Sequence, residues 1–324
     1  MKKHGHISLL SMLAGVVLAV SPAISFANLL FEDNFATDDL SKHNAYFRWR
    51  ASGAITSPGE GASVIDQVSG PSGSPVNAVR FQYKALNSDL SGGGSYWIAE
   101  LRFHLTSSLN EQRTQNGVSS TAYPEVWVSY WLRVPDNYAH GPVDPSNNKG
   151  FVTLWKNEYM GPVGAAIDWW RTGSSGSRIG AWAKENGVEQ GNRDMPTFVR
   201  ADHRVDSSGQ AYAILPSERG QWVHVAVGAK ISTNSTSRNG FIQIYKNGEK
   251  VVAWENLNNW NSDPSLQGFD RGYLFGWANS GYSADTTFYL TGFKFATSAA
   301  GAGVGSVSAP AVVSPPAAPV LRVN

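Results

Sequence analysis

Apolar and polar residues alternate one by one along most of the chain. Over 96–105, Trp97, Ala99, Leu101, Phe103 and Leu105 share one face, while Tyr96, Ile98, Glu100, Arg102 and His104 share the other. Over 125–134, Val126, Val128, Tyr130, Leu132 and Val134 oppose Glu125, Trp127, Ser129, Trp131 and Arg133. This period of two predicts strands with one face buried. Further strands are predicted over 151–159, 165–171, 222–231, 241–245, 250–254, 272–277 and 287–295. In 222–231 the inward row is Val223, Val225, Val227, Ala229 and Ile231. Lys246-Asn247-Gly248-Glu249 separates two of these runs. Asn-Gly there predicts a tight hairpin, since both central positions of such a turn need positive φ. Apart from short stretches such as 36–40, no amphipathic helix is read. So many strands imply an all-β sandwich or barrel.

Three segments divide the chain. Residues 1–27 read as a signal peptide: Lys2 and Lys3 precede an apolar run over 9–20, and Ser25-Phe26-Ala27 offers small residues for cleavage. Residues 28–296 form one domain. From 297 the composition turns to Ala, Gly, Ser, Val and Pro, which predicts a disordered tail or linker over 297–324. The expected location is secreted or periplasmic, with no membrane span and a monomeric chain. An exported chain with 0 Cys must draw its stability from an ordinary core rather than from disulfides.

Loss of Lys2 and Lys3 leaves 24 of the 26 basic residues against 25 acidic ones. So even a balance argues against nucleic acid as a partner, and a polyanion would have to meet a local cluster of cations. The chain holds 12 Trp, far more than a core alone calls for, and Trp also stacks on the apolar faces of sugar rings. Trp127 and Trp131, with Trp169 or Trp170 beside Asp168 and Arg171, are candidates for such a platform; burial against a second layer fits the same pattern.

Glu100, Arg102 and His104 project from one strand face about 7 Å apart in succession. Arg suits a carboxylate through its planar fork, and His suits proton transfer. A structural Glu100–Arg102 ion pair is the competing reading. The segment 140–159 reads first as a loop, with Asn147, Asn148 and Lys149 as candidate ligands for acidic sugars. Lys156, Tyr159 and His140 are further candidates, the last two for proton transfer. His43, His104, His140, His203 and His224 show no metal-ligand spacing. There is no phosphate-binding loop, dinucleotide fingerprint or G-x-S-x-G elbow.

The order of these pieces resembles the concanavalin A-like jelly roll, a sandwich of two antiparallel sheets. Leu30-Phe31-Glu32-Asp33-Asn34-Phe35 and Phe288-Tyr289-Leu290-Thr291-Gly292-Phe293-Lys294-Phe295 look like its paired terminal strands. Gly220-Gln221-Trp222-Val223-His224 with 240–248 looks like its back-sheet hairpin. Ala99-Glu100-Leu101-Arg102 is similar to the R-(S/T)-E-L strand of alginate lyases, and Tyr273-Leu274-Phe275-Gly276-Trp277-Ala278-Asn279 to their late Y-F-K-A-G-x-Y-N strand. The motif's leading Arg falls on Ile98, its lysine has no counterpart, its tyrosine falls near Trp277, and the histidine strand falls at Thr153-Leu154-Trp155. The resemblance implies a polysaccharide lyase acting on an acidic, uronic-acid-containing polysaccharide by β-elimination. Arg102, His104, His140 and Tyr159 are then the catalytic candidates, and Glu100, Trp127, Trp131, Asn148, Lys149 and Lys156 the binding ones. No cofactor is required; the fold often carries a structural Ca²⁺, for which Glu32, Asp33 and Asp285 are the nearest acids. A non-catalytic lectin-like binder is the alternative. A glycoside hydrolase ranks last, because no E-x-D-x-x-E run supplies paired carboxylates.

Overall fold

The computed structural model describes residues 29–57, 65–85, 98–105, 122–141, 147–156, 163–173, 176–186, 188–190, 196–207 and 209–305. The expected signal peptide, Tyr96, Trp97 and Tyr159 lie outside the described residues. Among those described, two antiparallel sheets lie face to face as a jelly-roll sandwich.

The larger sheet is built from β1 (Leu29–Asp33), β3 (Ile65–Ser69), β4 (Pro75–Tyr83), β6 (Glu125–Arg133), β11 (Phe198–Val199), β12 (Trp222–Lys230), β13 (Gly240–Lys246), β14 (Glu249–Leu257) and β16 (Thr286–Ala296), in the order β11-β14-β13-β12-β6-β16-β4-β3 with β1 also on β16. The smaller sheet holds β2 (Arg48–Ser57), β5 (Ile98–His104), β7 (Asn147–Trp155), β8 (Gly164–Thr172), β9 (Gly176–Glu185), β10 (Val188–Gln190) and β15 (Arg271–Trp277), in the order β10-β9-β8-β7-β15-β5-β2.

The alternating rows meet between the sheets as expected. Val126, Val128, Tyr130 and Leu132 of β6 and Val223, Val225 and Val227 of β12 face Ala99, Leu101 and Phe103 of β5 and Ile167 and Trp169 of β8 in one core. One end is aromatic: Phe47 stacks on Phe31 with ring centroids 4.2 Å apart and on Phe103 at 5.4 Å. The terminal strands pair, Phe31 opposite Phe295. The Asn-Gly hairpin forms, with φ of 50° at Asn247 and 84° at Gly248.

Three expectations change. β7 begins at Asn147, so Asn147–Gly150 is strand rather than loop. Folded chain also runs past 296: Ala299, Ala302 and Val304 pack on Trp127, Phe241 and Tyr245 outside the larger sheet, and Ser129 Oγ donates to Ala302 O at 2.7 Å. Small apolar side chains suffice there, because the aromatic surface they cover comes from β6 and β13. And 36–40 forms turns rather than helix. No helix among the described residues is long and apolar enough to cross a membrane.

Candidate functional site: two clamped cations on the smaller sheet

The outer face of the smaller sheet carries the chemistry. On β5, Leu101 and Phe103 point into the core, so Glu100, Arg102 and His104 point out. The antiparallel register sets Tyr273 of β15 directly between Arg102 and Thr153 of β7, and Arg271 between His104 and Trp155. Residues opposed in this way have Cβ atoms about 5 Å apart.

Arg102 Nε donates to Glu100 Oε1. The Glu100 side chain is fully buried, whereas that of Arg102 is 24 % exposed. Glu100 is the only side-chain partner of Arg102 among the described residues. The buried acid therefore holds the guanidinium at Nε, and the arginine is the member of the pair that reaches the surface.

A second clamp lies across β7 and β8. Lys149 Nζ donates to Asp168 Oδ1 at 2.7 Å, and Asn147 Nδ2 donates to Asp168 Oδ2. Asn147 is in turn held by Asn279 Nδ2 at 3.0 Å. Again the acid is buried and the cation, 12 % exposed, reaches the surface. Lys149 Nζ stands 6.0 Å from the Trp182 ring centroid, and Lys184 Nζ stands 5.7 Å from the same ring. Cations so placed are attracted by the electron-rich ring face.

Tyr273 joins the clamps. At Gly276, where φ is +129°, a Cβ would lie 2.7 Å from Tyr273 Cε2 and 3.2 Å from Lys149 Cβ. Only glycine lets the tyrosine ring and the lysine stem meet here. Trp155 closes against the same ring edge-on, at 5.5 Å between centroids. Beyond it Arg271 grips Asp270 through Nε at 2.8 Å and Nη2 at 3.0 Å, with Lys156 Nζ 3.5 Å from the same carboxylate.

Glu100, Arg102 and His104 share one face, as expected, and Lys149, expected in a loop, joins them there as part of a strand. Other expected residues do not. Trp127 and Trp131 are on β6 of the other sheet; Trp127 is buried under the 299–304 segment and Trp131 meets His224 edge-on at 5.4 Å. Asn148 points inward, where it accepts from Ser280 N at 2.8 Å and donates to Gly281 O at 2.9 Å, so its neighbour Asn147 is the outward one. Lys156 is buried on Asp270. His140 lies between the sheets, Nδ1 bonded to Ser177 Oγ at 2.6 Å, with Tyr138 on the same hydroxyl.

Burial, with Arg171 adding to it, pushes His140 down to about 4 from the usual 6.5, and burial with Lys294 does the same to His224. Both are neutral in the folded protein at neutral pH. Below 6.5 the unfolded chain takes up protons that the folded chain refuses, so stability falls as pH drops from about 6.5 to about 4 and levels off below that. Thermal midpoints across that interval should show this slope, and His224→Gln should lessen it while the His140 contribution remains.

Two of the three acids named for a structural Ca²⁺, Asp33 and Asp285, already have other partners. Asp33 already accepts from Phe35 N and from Trp49 Nε1, each at 2.8 Å, and burial pushes its carboxyl up. Asp285 accepts from Ala85 N at 2.7 Å and pairs with Lys84. No group of three or more His, Asp or Glu among the described residues is placed to hold a metal.

Fold and site together define a sandwich of two antiparallel sheets whose smaller sheet carries anchored cations around a tyrosine. No family model and no curated protein matches the sequence. Among solved structures, the chain is similar to an alginate lyase from a Chlorella virus, with 10 % identity over 84 % of this chain and 100 % of that one and a TM-score of 0.48. It is also similar to the endo-β-1,4-glucuronan lyase of the fungus Trichoderma reesei, at 13 % identity over 85 % and 98 % with a TM-score of 0.45. A third is domain 4 of an extracellular arabinanase from Geobacillus stearothermophilus, solved with arabinotriose, at 14 % identity over 86 % and 98 % with a TM-score of 0.40. At such scores, function has to be read from the side chains of the site.

Proposed function

We propose that the protein is an exported polysaccharide lyase that draws an acidic polysaccharide across the outer face of its smaller sheet and cleaves it by β-elimination. The observation that carries this reading is the Arg102 guanidinium, held at Nε by buried Glu100, itself part-exposed, with Tyr273 directly across from it in the register. The fork pairs with a uronate carboxylate, which stabilises the negative charge that develops when the neighbouring C–H loses its proton. His104, two residues along the same strand face, takes that proton. The Tyr273 hydroxyl gives one to the departing glycosidic oxygen, and the new double bond forms as the C–O bond breaks.

The test is ultraviolet absorbance of the unsaturated product during incubation with a panel of uronic-acid polysaccharides. A rise on one of them supports the lyase and names its substrate. No rise on any, with retention on a glycan affinity gel, moves the protein to non-catalytic carbohydrate binding. One observation favours that second reading: Tyr273 is fully covered in this structure. Arg102→Lys, which keeps a positive charge over buried Glu100 but loses the planar fork, should lower kcat/KM by about 10²–10³, the usual cost of one preorganised donor to a developing anion, with the thermal midpoint little changed. A variant that unfolds, or that keeps full activity, would remove Arg102 from the site.

A further inference from the structure

The larger sheet has a charged row on its own outer face. Trp222 of β12, Arg133 of β6, Tyr289 of β16 and Arg80 of β4 stand opposite one another on four adjacent strands. Their chain neighbours Val223, Leu132, Leu290 and Val79 all point into the core, so the four side chains of the row point out. Each of the four is half-buried. Opposed residues on neighbouring strands have Cβ atoms about 5 Å apart, so Arg133 stands between two aromatic residues. The members of the row are not held alike. Trp222 Nε1 donates to Ser69 O at 2.8 Å, and Arg80 Nη1 pairs with Asp66 at 3.3 Å. Burial and Asp66 push the Tyr289 hydroxyl up, while Arg80 and Arg133 pull against them, so the charges of the row meet around that ring. Arg133 differs from the rest: among the described residues, no acceptor bonds its guanidinium. A half-buried cation costs solvation, and no ion pair offsets that cost here.

We infer that this row is a second binding surface, for an acidic sugar whose ring lies on Trp222 or Tyr289 and whose acid group meets Arg133. Aromatic faces accept the apolar side of a sugar, and a guanidinium grips a carboxylate or sulfate through two parallel bonds. In a hexuronate the carboxylate is attached directly to the ring. A ring on either aromatic residue therefore brings its acid group within reach of the arginine between them. The surface lies across the core from Arg102 and stands whatever reaction the smaller sheet carries out. A long acidic polymer that meets both faces is held at two places on one molecule, and its retention then exceeds that of its short fragments.

Native gels cast with uronic-acid and sulfated polysaccharides test this, with the full chain run beside Arg133→Gln, Arg102→Lys and the double variant. Arg133→Gln should weaken retention about tenfold or more in both the unmodified and the Arg102→Lys backgrounds, as expected for loss of one hydrogen bond to a charged group. Its thermal midpoint should stay close to that of the unmodified protein, since the substitution breaks no bond among the described residues. Arg133→Lys, which keeps the charge without the fork, should recover part of the retention. Retention unchanged by Arg133→Gln in both backgrounds overturns the second surface and leaves the smaller-sheet site standing. Retention abolished by Arg102→Lys alone does the same. A gel of single-stranded DNA that holds the protein through Arg133, where no glycan gel does, gives the row to nucleic acid and overturns its assignment to sugars. Failure of every acidic glycan to retain the unmodified protein overturns the surface as well.

Discussion

Tyr273→Phe is expected to cut kcat by about 10²–10⁴ while leaving KM nearly unchanged, because it deletes a proton donor and keeps the ring. The ring would keep its place over Gly276 and against Trp155. Arg102 and Lys149 would keep their buried acids, so the ground-state grip on the substrate stays. Loss of the hydroxyl costs about 1 kcal/mol of stability, too little to unfold the chain. Steady-state kinetics on whichever polymer gives the ultraviolet signal, beside a denaturation curve, separates the two effects. A variant with full kcat would place the donor elsewhere. A variant that loses KM and kcat together would make Tyr273 a binding surface, which suits the lectin-like alternative.

Tyr273 also shows where the sequence stops being legible. Alternation alone put Glu100, Arg102 and His104 on one face, and the structure keeps them there. What alternation does not carry is which strand lies beside β5. The pairing with β15 joins residues far apart in the chain, and no local signal fixes its register. The motif's tyrosine falls near Trp277, whereas the register brings Tyr273 opposite Arg102. Parity explains the miss between Asn148 and Asn147. With the segment read as a loop, neither asparagine had a face; as strand, the one beside Lys149 turns inward and the one before it turns out. Trp127 and Trp131 fail for a third reason. Residues 125–133 do alternate, but period two says only that a face is outward, not which of two sheets it belongs to. Asp168 was visible as a neighbour of Trp169 and Trp170, yet its role as counter-ion to Lys149 depends on the β7–β8 register.

Glu218→Gln is expected to cost about 3–5 kcal/mol, a large share of the roughly 5–15 kcal/mol that holds a typical domain folded. Lys246, on β13, is fully enclosed; its Nζ bonds both Glu218 oxygens, at 2.9 and 2.8 Å, and Ala213 O at 2.8 Å. Burial pulls the lysine toward its neutral form, and the Glu218 carboxylate opposes that pull. The amide would retain the size of the side chain but remove the only carboxylate bonded to the buried ammonium, the situation in which a broken buried pair is costly. The consequence reaches the site. Ala211 O accepts from Ile179 N at 2.6 Å and Ala213 N donates to Ser177 O at 2.8 Å, so this excursion pairs with β9 at one side and is pinned to β13 of the other sheet by Lys246. β9 carries Trp182 and Lys184, the aromatic and cationic flank of the Lys149 clamp. Urea denaturation should show the lowered midpoint, and the paired change Lys246→Met with Glu218→Leu should recover most of it, since it removes both charges together. A single variant as stable as the unmodified protein would mean that the pair is solvated and that something else holds the excursion across the two sheets.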